Sequence, residues 1–316
     1  MTNTPVQCPV CANGAHYEFS GRDLMFDRRE RYDYFECVSC GATFQYPMPS
    51  DEQIAAFYPE TYCVFSEDKQ QRRIGSFRRA VLRSRKGYQH LNASFPFRVL
   101  AALWGRFVSL GTPDFQDGGK MLDVGCGNGR YLLTMRTLGW DVQGVEFSES
   151  GVRVCRQANL PVHHGDLESA AFPGDSFDLI TVRHVIEHIP DPQPFMRELV
   201  RVLKPGGRLV IETPNSQALG RAWLGGNWYA NDVPRHLILF SPDNLSQLAR
   251  NHGLNERLRI LETSPKIILN SLDYVVKNQG KPSKKRAGRR FIARLYVWLA
   301  RRSGRGDTMQ LTFVKP

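Results

Sequence analysis

The sequence lacks any segment that would place the chain across a membrane or direct it out of the cell. None of its 316 residues form an uninterrupted apolar run near the roughly 18 residues of a membrane span. The N-terminus, MTNTPVQCPVC, also lacks the basic and apolar regions of a secretory signal. From these absences we expect a cytoplasmic protein and neither an integral membrane protein nor a secreted one.

Acidic residues are missing from two long segments, 69–110 and 274–306, which carry ten and eleven Lys or Arg. Because the whole chain has a net charge of +11, the remainder is net acidic and the basicity is local. Two interpretations stay open. The segments are either solvated charge runs or surfaces for an anionic partner such as a membrane, a phosphorylated substrate or nucleic acid.

Cysteines are few, but four of the seven occur in two CxxC pairs, CPVC at Cys8 and Cys11 and CVSC at Cys37 and Cys40. In a reducing compartment such pairs are metal ligands or free thiols sooner than disulfides. Four thiolates can close a tetrahedral zinc site that has no open position for catalysis, so we predict a structural zinc. A redox-active CxxC is the alternative, although no βαβ pattern surrounds either pair.

Three regions follow from the pattern along the chain. Residues 1–50 form the zinc-binding module, 51–117 a helical connector, and 118–316 a catalytic domain with a basic insertion at 266–306. In the last region, short apolar runs alternate with helical patterns, which predicts an α/β fold with a doubly wound parallel sheet and ligands at the carboxyl ends of its strands. The predicted strands are KMLDV (120–124), VQGVEF (142–147), PVHHG (161–165), FDLITV (177–182), RLVIET (208–213), RLRILE (257–262) and MQLTFVKP (309–316).

The glycine-rich stretch MLDVGCGNGR (121–130) lacks the last glycine of a dinucleotide fingerprint. Counting GxGxxG from Gly125 places that glycine at Arg130. The acid at Asp123 would repel a pyrophosphate and suits a ligand with a positive centre. Glu146, near the end of the next predicted strand, could accept hydrogen bonds from two ribose hydroxyls. The residues therefore predict a nucleoside ligand that carries a cation.

Several motifs in unbroken order resemble those of the class I methyltransferases that use S-adenosylmethionine. They are DVGCGNG (123–129), the acid Glu146, HGD (164–166), FDLI (177–180) and LKPGG (203–207). The resemblance covers about residues 118–265 and implies a seven-stranded Rossmann-like sheet.

The resemblance also implies a role for each matching residue. Asp123 and the backbone from Gly125 through Gly127 to Gly129 would hold the methionine end of the cofactor, and Glu146 the ribose. Asp166 and Leu167 would hold the adenine. The zinc module together with HVIEHIPDP (184–192) and VPRHLILFSP (233–242) further resembles a bacterial subgroup that modifies sugars and other small metabolites.

Methyl transfer to a hydroxyl benefits from a base, and His titrates near neutral pH. The candidates are His184, which follows the fourth predicted strand, and His236, whose neighbourhood contains Trp223, Trp228 and Tyr229 and suggests a lid over the acceptor. Packing roles for both histidines stay open. Glu187 with His188 also resembles the metal-binding pair of some quinone O-methyltransferases, although Arg183 and His184 depart from the acidic pattern. The sequence lacks an NPPY-like tetrapeptide after the fourth strand, which weakens a resemblance to amino-group methyltransferases.

We therefore expect a methyltransferase that acts on oxygen or carbon of a sugar, glycan or other small metabolite. The alternative is an RNA methyltransferase whose zinc module and basic segments bind phosphates. A binding module that has lost catalysis is a third interpretation, which the intact cofactor motifs disfavour.

The basic insertion contains one segment with its own pattern, RRFIARLYVWLARR (289–302). Its apolar residues fall on one helical side and several arginines on another, as in helices that lie in a membrane interface. The alternative is a helix whose apolar side packs on the protein's own sheet. The predicted partner is a small-molecule or glycan acceptor. Peripheral contact with an anionic membrane is a second, open prediction. The residues on the apolar side are Phe291, Ile292, Leu295, Trp298 and Leu299.

Overall fold

The computed structural model describes residues 6–59, 74–105, 111–280 and 289–316. The basic residues at 69–73, Arg106 and the KPSKKR segment at 281–286 lie outside the described residues. The chain divides into two compact units: unit 1 comprises 1–62, 173–175 and 180–316, and unit 2 comprises 63–172 and 176–179.

The predicted α/β fold with a seven-stranded sheet is confirmed. The strand order is β10-β11-β8-β7-β4-β5-β6. The strands are β4 (Lys120–Val124), β5 (Asp141–Glu146), β6 (Val162–His164), β7 (Phe177–Arg183), β8 (Leu203–Pro214), β10 (Asn255–Glu262) and β11 (Thr308–Val314). The helices are α1 (Asp51–Ala56), α2 (Ser76–Arg85), α3 (Phe95–Trp104), α4 (Arg130–Thr137), α5 (Glu149–Gln157), α6 (Pro192–Val202), α7 (Leu219–Leu224), α8 (Pro242–Asn251), α9 (Pro265–Asn278) and α10 (Arg289–Arg302).

In unit 2, strands β4, β5 and β6 pair in parallel. Four of the five residues of β4 are buried, which is typical of a parallel strand covered on both faces. Met121 and Leu122 of β4 have no exposed surface, and neither have Leu132 and Met135 of α4. The continuous apolar run KMLDV is therefore read correctly as a central strand.

In unit 1, β11 pairs antiparallel with both β8 and β10. Its residues alternate between buried and half-buried, with Met309, Leu311 and Phe313 fully buried. This period of two places one face of the strand in the core. The sheet is consequently mixed, and its antiparallel strand is the one that follows the basic insertion.

A second, four-stranded sheet contains β1 (Ala15–Arg22), β2 (Arg31–Cys37), β3 (Thr43–Gln45) and β9 (Ile238–Leu239), in that order. The first three strands come from the predicted zinc-binding module. The fourth lies nearly 200 residues later, where Phe44 pairs with Ile238. The module thus shares its sheet with the catalytic region, and the boundaries at residues 50 and 117 stay a prediction.

Among the described residues, no helix has the length and apolar content needed to cross a membrane. The segment 289–302 does form the predicted helix, α10.

Candidate functional site

The loop after β4 has a backbone that its glycines make possible. Gly125, Gly127 and Gly129 have φ angles of 71°, 56° and 72°, in the left-handed region that other residues adopt at a cost. Gly129 also precedes α4, and a Cβ there would lie 2.4 Å from Leu160 Cδ1. The loop is therefore built for a close approach of backbone to a ligand and for tight packing behind it.

Glu146, the last residue of β5, fastens this loop. Its Oε2 accepts a hydrogen bond of 2.7 Å from the N–H of Gly127, and its Oε1 accepts one of 2.8 Å from the N–H of Ser148. The sequence predicts Glu146 as a ribose ligand, but it does not predict these hydrogen bonds to the loop backbone. The two N–H groups fix the carboxylate orientation while each oxygen keeps a further lone pair for a ligand hydroxyl.

The predicted cofactor residues come together at one edge of unit 2. Asp123 is buried near the end of β4, Glu146 ends β5, and Asp166 follows β6. Val124 pairs with Val145 and Glu146 with His164, so the register brings these three strand ends level. Two acids beside a glycine loop fit a ligand with a positive centre better than one with a diphosphate.

Asp166 and Leu167 are partly engaged in local structure. The Asp166 carboxylate accepts a 2.7 Å hydrogen bond from the N–H of Ser169, which lowers its pKa, and the side chain is exposed. The Leu167 side chain is buried. Their predicted contact with adenine stays a prediction.

A different group of residues follows β7 in unit 1, beginning with His184. This residue has a φ of 55°, a strained value for a residue that is not glycine, and its N–H donates to the Glu212 carbonyl at 2.8 Å. Its Nδ1 lies 3.2 Å from Glu187 Oε1 and its Nε2 3.5 Å from Glu212 Oε1. Although burial opposes the charge, the two carboxylates raise the pKa of His184 to about 10.

A protonated imidazole cannot accept a further proton, so the predicted role of His184 as a base does not fit this geometry. Its charge instead balances Glu187, which is fully buried in a 3₁₀ turn, Ile186–His188. Burial alone would raise the pKa of Glu187, but the hydrogen bond with His184 lowers it to about 2. The other oxygen of Glu187 accepts a 2.9 Å hydrogen bond from the Thr213 hydroxyl. His184 therefore positions an ionised, buried carboxylate.

His236 is buried beside the same carboxylate. Its Nδ1 lies 2.9 Å from the Ala230 carbonyl, which can only accept, so Nδ1 carries the hydrogen and Nε2 has a lone pair. Nε2 lies 3.9 Å from Glu187 Oε1 and 3.9 Å from Asp232 Oδ2. Burial and the neighbouring His188 lower the pKa of His236 to about 4. The imidazole is therefore neutral at pH 7, with an acceptor nitrogen.

Glu187, His188 and His236 offer donor atoms that all lie within 4.8 Å of one another. His188 Nδ1 lies 2.8 Å from the Arg235 carbonyl, so both histidines have one nitrogen tied to the backbone. Such a set is able to share one divalent cation. However, His184 already offsets the charge of Glu187, which leaves less negative charge to attract a cation.

The loop that carries His236 is held by a buried ion cluster that the sequence did not predict. Arg235 Nη1 lies 2.8 Å from Asp23 Oδ2, and Arg235 Nη2 lies 2.7 Å from Asp232 Oδ1. Asp23 lies in the N-terminal region, 212 residues before Arg235. Trp228, predicted as part of a lid, is instead a core residue packed with Ala218 and Ala230. The lid prediction is therefore wrong for Trp228.

The four N-terminal cysteines converge as predicted. Cys8 Sγ lies 3.7 Å from Cys40 Sγ, and Cys11 Sγ lies 3.4 Å from Cys37 Sγ. All four sulfurs lie within 4.8 Å of one another. A tetrahedral zinc with Zn–S bonds of about 2.3 Å would separate its sulfurs by roughly 3.8 Å. The N–H groups of Val10 and Ser39 each point at a cysteine sulfur, at 3.4 Å. The donor set and its spacing fit zinc.

Comparison with known proteins locates the chain among characterised families. Residues 88–257, slightly more than half of the chain, match the model of a family described as "Methyltransferase domain". The chain is 32% identical to the "Ubiquinone biosynthesis O-methyltransferase" of Ralstonia nicotianae over 163 residues, which are 47% of this chain and 68% of the relative. It is also 32% identical to the Cereibacter sphaeroides protein of the same name, over 49% of this chain and 67% of the relative.

Solved structures also resemble the chain. One is a SAM-dependent methyltransferase from Archaeoglobus fulgidus, with a TM-score of 0.45 and 20% identity, covering 69% of this chain and 94% of the other.

Proposed function

Because the chain belongs to the methyltransferase domain family and is an S-adenosylmethionine-dependent methyltransferase, we propose that it methylates a hydroxyl oxygen of a small molecule. Relatives named for O-methylation, at 32% identity, support oxygen as the acceptor atom. The observation that carries the proposal is the neutral His236, whose Nε2 is held as a hydrogen-bond acceptor next to an ionised carboxylate.

The proposed cofactor residues all belong to unit 2. S-adenosylmethionine supplies an electrophilic methyl group on a positively charged sulfur. Asp123 contributes negative charge near the methionine end, and Glu146 accepts hydrogen bonds from the ribose while it holds Gly127. Gly125, Gly127 and Gly129 let the backbone approach the ligand without a Cβ in the way. Asp166 and Leu167 flank the adenine.

The proposed acceptor chemistry uses His236. A hydroxyl oxygen becomes strongly acidic as it gains a methyl group, so even an imidazole with a pKa of about 4 can take its proton. Glu187 stabilises the imidazolium that results, at 3.9 Å from Nε2. His184 acts as a positioning residue, because its hydrogen bond to Glu187 and its ion pair with Glu212 hold both carboxylates in place.

A methyl-transfer assay with labelled S-adenosylmethionine tests this function. The panel contains aromatic alcohols, free and nucleotide-linked sugars, and RNA, and nuclear magnetic resonance identifies the methylated atom. We expect an O-methylated small molecule, whether aromatic or saccharide. Transfer to RNA alone, or to nitrogen or carbon, would overturn the proposal.

The role of His236 is tested in the same assay. We expect His236→Asn to lower kcat by about 10²–10⁴-fold, the usual contribution of a general base, with little change in cofactor affinity. His16→Asn, on an exposed position of β1, serves as the matched control and should leave kcat unchanged. If chelation abolishes wild-type activity while the zinc content and the melting temperature are retained, and a divalent cation restores the activity, then Glu187, His188 and His236 hold a metal and the base assignment fails.

A structural zinc is the second part of the proposal. It rests on the convergence of the sulfur atoms of Cys8, Cys11, Cys37 and Cys40. With four sulfur ligands the ion has no open position, so it would stabilise the small sheet and take no part in methyl transfer.

A further inference from the structure

Helix α10 packs on the protein through one face made of small and aromatic residues. Ala293, Tyr296 and Ala300 are buried against Ile268 of α9. The Tyr296 hydroxyl hydrogen-bonds the buried Asp307 and accepts a 3.1 Å hydrogen bond from the N–H of Gly220. The orientation of α10 about its own axis is therefore fixed.

The opposite face of α10 is apolar and exposed. Phe291 is 71% and Trp298 is 55% exposed, and Ile292 and Leu295 are also exposed. These residues recur at spacings of three and four, so they form one stripe along the helix. The sequence left open that this stripe packs on the protein's own sheet. That alternative is wrong, because the packed face of α10 consists of Ala293, Tyr296 and Ala300. A contiguous apolar surface of this kind usually marks an interaction site.

Positive charge borders the apolar stripe. Arg290, Arg294 and Arg301 are exposed along one flank, and the Arg302 guanidinium lies 5.7 Å from the centre of the Trp298 ring. The nearest acid before the helix, Asp273, is paired with Arg289. After Asp273, the sequence contains no Asp or Glu up to residue 306. The surface is therefore apolar and cationic at once.

We propose that this face of α10 docks on an anionic lipid bilayer. Lying in the membrane plane, the helix would insert Phe291, Leu295 and Trp298 among the acyl chains near the headgroups. The arginines of the flank would reach lipid phosphates, with their aliphatic stems along the apolar boundary. The inference goes beyond the proposed function, because it does not depend on which acceptor is methylated.

Charge and side-chain type favour an anionic bilayer over a second copy of the chain and over single-stranded RNA as the partner of α10. A second copy of the same face would bring arginines against arginines, which opposes a symmetric dimer. Single-stranded RNA favours aromatic platforms interleaved with cations, whereas two of the four most exposed residues of the stripe, Ile292 and Leu295, are aliphatic. A bilayer with acidic headgroups matches both the aliphatic surface and the charge.

Vesicle flotation of the full-length protein tests the proposal. At low salt we expect the protein to float with phosphatidylglycerol vesicles and to stay at the bottom with phosphatidylcholine vesicles. The double variant Phe291→Ser/Trp298→Ser should lower the partition coefficient more than tenfold, because it removes the two most exposed apolar side chains. Arg301→Gln should lower it about fivefold, as expected for one basic residue near an anionic surface.

Tyr17→Ser is the matched control, because Tyr17 is an aromatic residue of β1 that is also 55% exposed. It should float like the wild type. Thermal melting and labelled methyl transfer confirm that each variant is folded. Equal flotation with neutral lipid, no flotation at low salt, or full binding by the double variant would overturn the proposal. So would a wild-type dimer that the double variant converts to a monomer, or RNA binding that the double variant abolishes.

Discussion

Glu146 combines an observed structural role with its proposed role as a ribose ligand. The pattern of a strand ending in an acid predicts a ribose contact, and the structure adds hydrogen bonds from the N–H groups of Gly127 and Ser148. Such bonds to a charged acceptor are worth about 1.5–3 kcal/mol each. The side chain therefore stabilises the glycine loop in its observed shape.

We expect Glu146→Gln to weaken S-adenosylmethionine binding by about 10–100-fold. The amide has a single acceptor oxygen, and its NH₂ group would face an N–H donor, at a cost of roughly 1.5–3 kcal/mol. Isothermal titration calorimetry measures the change. Glu149→Gln, an exposed residue in the first turn of α5, is the matched control and should keep wild-type affinity. Unchanged binding by Glu146→Gln would show that the loop keeps its shape without the carboxylate.

For His184 the sequence predicts a base, whereas its contacts favour a role in positioning Glu187. A histidine after a strand suggests a base, but the base or acid role depends on neighbours that sequence spacing does not place. Glu187 is three residues away and Glu212 comes from β8, and together they keep the imidazole protonated. The charge of the His184 imidazole therefore depends on its contacts with Glu187 and Glu212, and the residue type alone does not determine it.

At the scale of elements, the two cysteine turns organise the N-terminal sheet. Cys37 ends β2, and the Cys37 N–H donates to the Ala42 carbonyl at 3.0 Å, which closes the turn toward β3. Because β3 pairs with β9, the turn also supports a strand that follows His236 closely in the sequence. A zinc ion at the four sulfurs would therefore stabilise the sheet that includes β9.

We expect purified protein to contain about one zinc per chain, and Cys37→Ser to release it. A hydroxyl is a poor substitute for a thiolate ligand, so the variant should also unfold at a lower temperature. Metal analysis and thermal melting measure both effects. Ser39→Ala, which changes an exposed residue between the same two cysteines, should retain zinc and melting temperature. A well-folded wild type without zinc would refute the site.

At the scale of the whole molecule, stability depends on charges that distant segments bring together. Asp23 and Arg235 are both fully buried, and removal of one partner of such a pair typically costs about 3–5 kcal/mol. The cluster of His184, Glu187 and Glu212 adds a dependence on pH. Its sign follows from the folded pKa values, about 10 for His184 and about 2 for each of the two glutamates.

We expect the stability difference between wild type and His184→Asn to shrink as pH rises from about 6.5 to 10. The folded pKa of His184 lies above its unfolded value near 6.5, so its contribution is complete below that pH and is lost as the pH passes its folded value. Asn tolerates the left-handed backbone, so the variant tests charge and not strain. Half of the imidazole side chain is exposed, and solvent screening reduces the size of the effect.

Urea denaturation of both proteins between pH 5 and pH 10 measures this difference, since groups remote from residue 184 titrate alike in the two chains. In the wild type, Glu187 and Glu212 remain ionised throughout this range, because their folded pKa values lie near 2. In the variant both glutamates lose a cation that lowers their pKa, so the window from about pH 6.5 to pH 10 is the one that reports on His184. A difference that does not vary with pH would show that His184 is not held as a cation.

The sequence by itself determined the local structure around the proposed cofactor residues. The continuous apolar run KMLDV predicts β4, a strand that is buried on both faces. The alternation of apolar and polar residues in MQLTFV predicts β11, a strand that is buried on one face. Glycines with positive φ, an acid in β4 and another at the end of β5 lie close along the chain. Strand periodicity therefore places Asp123, Gly127 and Glu146 correctly without any long-range information.

The tertiary structure alone decided the arrangement of the residues proposed for the acceptor. Glu187, Thr213 and His236 meet because separate elements fold together, and Asp23 reaches Arg235 across 212 residues. The protonation states of His184 and His236 follow from such contacts, since burial and neighbouring charges move a pKa by several units. The exposed side of α10 was likewise decided by packing, because a helix that is apolar on most of its circumference can bury either face until a neighbour selects one.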